Sequence, residues 1–390
     1  METQKILTRD FVLSFFAQFV SSFIFCILIP TFPIFLSRLG SKEVEIGVLV
    51  GVFSVVSLII RPFVGRALLK IPERKFMMAG NLLCVLSSIA YLFAPPFWPL
   101  LIVRVIQGIG MAFFSTASFT LVANITPDTH RGQILSYFYL SINIAFTLAP
   151  YFGMLLINRF NFTVLFLVCT GLSLCGLFIT DKLRKREIEP SRDQSIKNQP
   201  FLCHEALPAS IMAFMVNIIW GALTAFFPLY ALSRGVANPG LFFATFALML
   251  VLGRGFGGKI LDIYAREKVI FPCLTTYIIS MVILAFSTTL PMFVLVAVIW
   301  GIGNAFLYPT LVVYALDRAG SSRGPAIGTF TAIADLGAGM GSVIMGIVLQ
   351  ISNYPVMFLC LALTGTFNLL YFYLFVRKKP QSLPSTAGRG

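Results

Sequence analysis

A charge inside a long apolar stretch is expensive in a lipid-like setting and marks a place where chemistry is expected. Measured against the apolar stretches of this chain, only two charges lie at such depth: Asp335, about ten residues into 325–350, and Arg104, about seven residues into 97–125. At 1.5 Å per helical residue, Asp335 lies roughly 15 Å inside. A carboxyl taken out of water is held more readily as the neutral acid, so it can load and release a proton near neutral pH. Asp335 is therefore the candidate carrier of a proton or cation; direct contact with a solute and a fixed ion pair are the alternatives. Arg104 would stabilise the ionised acid or hold its own helix in register. Asp10 lies beside Arg9 at the mouth of the first stretch, and His130 and His204 fall in polar segments.

Other chemistries find little support. Six of the seven cysteines sit in apolar runs, and no C-x-x-C pair or zinc-like His spacing occurs, so neither a metal site nor a cofactor is expected. Gly253-Arg-Gly-Phe-Gly-Gly258 satisfies G-x-G-x-x-G, but an apolar stretch precedes it and Ile260 follows Lys259. A nucleotide loop needs a strand before it, and a P-loop needs Ser or Thr after the lysine. No constellation of His, Cys and Asp points to an enzyme.

The elements that must position these side chains follow from composition. With 58% hydrophobic and 11% charged residues, the 390-residue chain cannot cover a water-exposed surface; its mean hydropathy is +0.90. An all-α integral membrane protein is predicted. Stretches long enough to span a bilayer occur at approximately 11–36, 46–69, 76–94, 97–125, 132–157 and 162–180. A second set lies at 207–232, 239–261, 268–288, 291–316, 325–350 and 354–376, about twelve in all. Domains are expected at 1–180 and 207–378, joined by a charged, proline-containing flexible linker at 181–206, with a disordered tail at 379–390. The net charge of +14 does not signal nucleic acid, because the basic residues sit in alternate loops. Arg38, Lys42, Arg159 and Arg234 lie in one set of loops and nearly all others in the opposite set, which places both termini in the cytoplasm.

The halves repeat one another. Arg104-Val-Ile-Gln-Gly-Ile-Gly is echoed by Ala297-Val-Ile-Trp-Gly-Ile-Gly, pairing Gly108 with Gly301 and Gly110 with Gly303, 193 positions apart. Arg61-Pro-Phe-Val-Gly65 matches Arg254-Gly-Phe-Gly-Gly258 at the same offset. Such halves are common in membrane transporters, with the solute handled between them. At offset 192, Asn143 stands where the second half has Asp335. Gly337, Gly339, Gly341 and Gly346 make the helix of Asp335 smooth enough for close packing or sliding. Pro33 and Pro228 occupy matching places near the ends of the first and seventh stretches, as helix-end prolines or as kinks.

Arg104, Gln107, Gly108 and Gly110 fit R-x-x-Q-G-x-G, and the segment resembles motif B of the major facilitator superfamily. Motif A is similar in part: Gly65, Lys70 and Arg74 match in the first half, with Leu69 where the acid belongs. Gly258, Asp262 and Arg266 match in the second. Pro150 and Gly153 are similar to the core of motif C. The resemblance implies two pseudo-symmetric six-helix bundles and alternating access. It implies a small-molecule substrate and a monomer in a plasma (inner) membrane; the embedded charges, Asp335 and Arg104, are the expected proton-coupling residues. Motif A implies a cytoplasmic latch, and motif C tilts the reading toward antiport and efflux, with import or facilitation as the alternative. Because the first, fourth, seventh and tenth helices line the cavity in that family, Gln18, Ser115, Thr116, Asn217, Trp220, Asn304 and Tyr308 become candidates, with Asn143 added by the repeat. One embedded acid and one embedded base argue against a strongly charged cargo.

Overall fold

A computed structural model describes residues 8–126, 131–184, 203–263, 266–319 and 323–377. The predicted tail at 379–390 and most of the predicted linker lie outside the described residues. Among the described residues, twelve long helices follow one another: α1 (Arg9–Arg38), α2 (Glu43–Ala67), α3 (Glu73–Ala90), α4 (Trp98–Ile125), α5 (Arg131–Arg159), α6 (Phe162–Asp181), α7 (Leu207–Ser233), α8 (Gly240–Ile263), α9 (Arg266–Phe286), α10 (Leu290–Ala319), α11 (Arg323–Ile351) and α12 (Tyr354–Tyr371). A single π turn, Phe372–Val376, extends α12. Ten of these segments are long and apolar enough to cross a membrane. The described ends of the chain lie at what is called here the termini face; the loop after α1 lies at the far face.

Local sequence explains several helix ends. Asn161 and Asn353, 192 positions apart, cap α6 and α12, their side chains accepting from the Val164 and Val356 amides at 2.9 and 3.1 Å. Gly40 and Gly235 follow α1 and α7 with φ of +81° and +79°, a conformation that favours glycine.

Packing repeats as the sequence does. Gly108 brings α4 onto α2, where an added Cβ would lie 3.1 Å from the Phe53 carbonyl, and Gly110 brings it onto α3 beside Gly80. Gly301 and Gly303 do the same for α10 against α8 and α9. In the first half α1 packs on α5 and α6, and in the second α7 packs on α11 and α12. The halves meet along α2–α11, α5–α8 and α1–α7. Along α2–α11 the contacts are tightest toward the far face. There, Ser342 Oγ donates to the Gly47 carbonyl at 2.9 Å, and Gly51 packs on the Gly339 backbone. Gly240 packs on the Pro150 carbonyl, and Asn158 donates to the Ala237 carbonyl at 2.8 Å. The far side is sealed. Pro33 and Pro228 lie within α1 and α7, both buried.

Two expectations need correction. The end of the predicted flexible linker is built into the second half. Cys203 is buried, its amide donates to Thr329 Oγ1 at 2.9 Å, and His204–Ala206 form a 3₁₀ turn leading into α7. Embedded charge is also not confined to Asp335 and Arg104, since Arg61 lies within α2 and Arg254 within α8.

Candidate functional site

On the termini side of the seal lies a cavity of about 390 Å³, a size that suits a small organic molecule. Its walls come from α1, α2, α4, α5, α7, α8 and α10. Of the candidates, Gln18, Ser115, Asn217, Trp220, Asn304 and Tyr308 line it; Thr116 and Asn143 do not. Gln18 donates to Ser22 Oγ at 3.0 Å while its Oε1 has no partner among the described residues, and Asn304 donates to Tyr277 OH at 2.5 Å. Trp220 forms part of the ceiling, its ring 5.6 Å from Phe146 and 5.8 Å from Trp300.

Two arginines reach this cavity, Arg61 and Arg254, the repeat-related pair. Arg61 Nη1 donates to Asp335 Oδ2 at 2.5 Å across the α2–α11 seam. The cation beside the candidate acid is therefore Arg61. Both side chains keep partial exposure, 42% and 33%. Arg254 has no carboxylate partner among the described residues; Tyr139 and Tyr308 lie within its electrostatic reach. The sequence signal for both arginines was present in the repeat, which sets each of them inside a predicted span.

Arg104 is held elsewhere. It is 6% exposed, donates to the Leu49 carbonyl at 2.9 Å and to Gln107 Oε1 at 2.8 Å, and lies over the Phe32 ring at 4.2 Å. Tyr91 OH donates to the same Gln107 oxygen at 2.7 Å. Motif B thus ties α4 to α2 and α3. It borders a second, narrow space of about 50 Å³ near the far face.

The motif A positions behave differently in the two halves. Arg74 pairs with Asp181 at 2.5 Å, joining the start of α3 to the end of α6 within one half. An added Cβ at Gly65 would meet nothing within 4 Å, and Lys70 is exposed. The side chains of Asp262 and Arg266, and the surroundings of Gly258, lie outside the described residues. At motif C, Pro150 lies within α5, and Gly153 lets α5 close on α1, where an added Cβ would lie 2.8 Å from the Ile27 carbonyl. No cluster of His, Cys, Asp or Glu able to hold a metal occurs among the described residues.

Known proteins resemble this chain in sequence and in fold. The model of the Major Facilitator Superfamily matches residues 14–244 and 234–390. The staphylopine export protein of Staphylococcus aureus is 25% identical over 366 residues, covering 90% of this chain and 91% of that protein. Multidrug resistance protein 1 of Bacillus subtilis is 24% identical over 344 residues, covering 85% and 88%. A crystal structure of the nucleoside transporter NupG superposes with a TM-score of 0.79 at 14% identity, covering 95% of this chain and all of that one. With a sealed far side, a central cavity and a family match along nearly its whole length, this chain belongs to the Major Facilitator Superfamily and is a multi-pass membrane transporter.

Proposed function

We propose that this transporter is a proton-coupled antiporter that exports a small organic solute by alternating access. The observation that carries the proposal is the Arg61–Asp335 pair, an acid at cavity depth joined across the moving seam between the halves. A proton on Asp335 cancels the carboxylate and releases Arg61, so the same event changes the charge and loosens a contact between halves. Export is supported by the relatives, one named for staphylopine export and another for multidrug resistance. Both termini are cytoplasmic in this proposal, by the distribution of Lys and Arg, and the cavity then opens inward. The functional units are the bundles 1–180 and 207–378, working as a monomer in the plasma (inner) membrane. Arg104 acts as a strut rather than as the partner of Asp335, and no cofactor is needed.

A second reading is proton-linked import. A solute that takes Arg61 from Asp335 would leave the acid to pick up a proton, and the two would load together. One experiment decides coupling. Liposomes with an acid interior are challenged with lipophilic cations, sugars, amino-acid-like metabolites and organic anions, using wild type and Asp335→Asn. A solute that dissipates the gradient with wild type alone supports proton coupling at Asp335. Equal transport by both proteins without proton movement refutes it.

A further inference from the structure

The two seams between the halves are related by the repeat, but their charges are not. On one seam, α2 carries Arg61 against Asp335 of α11. On the other, α8 carries Arg254, and α5, which packs on α8, has Asn143 at the place related to Asp335. An amide has no charge with which to neutralise a guanidinium. Among the described residues, Tyr139, Tyr308 and Tyr277 lie within electrostatic reach of Arg254, and Asp335, which acts on the same Tyr308, is already engaged by Arg61. Among the described residues no Asp or Glu lines the cavity, and Asp335 is joined to it through Arg61. The site therefore holds two fixed cations against one acid.

From this asymmetry we infer that the cargo is an organic anion, bearing a carboxylate or phosphate group that Arg254 receives. A guanidinium is well matched to this task, because its planar fork binds two oxygens of such a group at once. Arg254 lies 14 residues from the Gly240 end of α8 and nine from its Ile263 end, roughly 21 and 14 Å at 1.5 Å per residue. Arg254 is exposed toward the cavity, and an ionisable side chain within a span is by default a functional candidate. A monoanion on Arg254 leaves the Arg61–Asp335 pair intact and brings the loaded cavity to zero net charge. Asn304, Gln18 and Tyr308 supply neutral polar groups for the remainder of the molecule, with Trp220 as an apolar wall. The expectation from the sequence, that the embedded charges balance and disfavour a charged cargo, is reversed once Arg61 and Arg254 are counted. The inference rests on the cavity being the transport site; it holds for either direction of proton flow.

The test is ligand binding to the purified full-length protein, read as thermal stabilisation and by calorimetry. The probes are benzoate, succinate and glycerol 3-phosphate, set beside lactose and tetraphenylphosphonium. At least one anion is expected to bind, with affinity falling at least tenfold in Arg254→Gln and less in Arg254→Lys. Arg159→Gln, at the far face, should bind as wild type does. Carboxylates and phosphate monoesters are distinguished by which probe binds. Each variant is checked for a single symmetric elution peak, and Arg254→Lys keeps the comparison valid should Arg254→Gln misfold. The proposal is overturned if none of the anions binds at millimolar concentration, if only lactose or tetraphenylphosphonium binds, or if anion binding is equal in wild type and Arg254→Gln. Failure of the transport reading looks different: an anion would bind through Arg254, yet liposomes would not move it.

Discussion

Arg61 and Asp335 face one another across the seam between the halves, Nη1 to Oδ2 at 2.5 Å and 274 residues apart in sequence. Because both side chains remain partly exposed, the pair contributes on the order of 1 kcal/mol or less to stability. In the proposed cycle, a weak bond at the seam would be made and broken each time the halves move. Arg61→Gln and Asp335→Asn are therefore expected to melt close to wild type in detergent while losing proton-linked transport. A large drop in melting temperature in either variant would instead mark the pair as structural.

Arg104 should behave in the opposite way. Its guanidinium is buried and satisfies the Leu49 carbonyl and Gln107 together. Hydrogen bonds of this charged kind are worth about 1.5–3 kcal/mol, and a buried partner left unmade costs a similar amount. Arg104→Gln is expected to lower thermal stability clearly, and Arg104→Lys to recover only part of it, because an ammonium lacks the planar fork. Thermal melts of the three proteins side by side check this.

The far-side seal depends on small residues. An added Cβ at Gly51 would collide with the Gly339 carbonyl and lie 2.6 Å from Ser342 Oγ. Gly51→Leu should therefore disfavour the far-closed state and populate one open on that side. Spin labels at Lys42 and Ser352 in a cysteine-free background are expected to show a longer distance population in Gly51→Leu than without it. Identical distributions would remove the seal from the α2–α11 seam.

The Arg74–Asp181 pair lies within one half, and Asp181 is 49% exposed. Arg74→Gln is expected to change transport less than twofold at physiological salt, where exposed pairs are screened. A loss comparable to that of Asp335→Asn would show that the motif A loop latches the two halves in another conformation.

Much of this was legible in the sequence, for physical reasons. Spanning helices need about 20 apolar residues, so all twelve stretches could be read, and the repeat paired Gly108 and Gly110 with Gly301 and Gly303, which occupy matching contacts. Asp335 was legible because an acid in an apolar run is rare. The repeat marked Arg61, but not as its partner. Arg61 lies six residues from the end of α2, where a long basic side chain reads as topology-setting charge. Which helix faces the cavity depends on rotation about its axis, and an apolar helix has no polar stripe to fix that rotation; Ser115 faces inward while its neighbour Thr116 does not. The packed turn at Cys203 was hidden by the charged sequence before it.

In the proposed mechanism Asp335 is the group that links solute movement to protons. Its most direct test uses proteoliposomes and the panel solute that wild type moves, comparing solute exchange at equal pH with uphill movement driven by a pH gradient. In Asp335→Asn, exchange should persist within a few-fold of wild type while uphill movement disappears. If Asp335→Asn drives the solute uphill as wild type does, the proton passes elsewhere and the account is wrong.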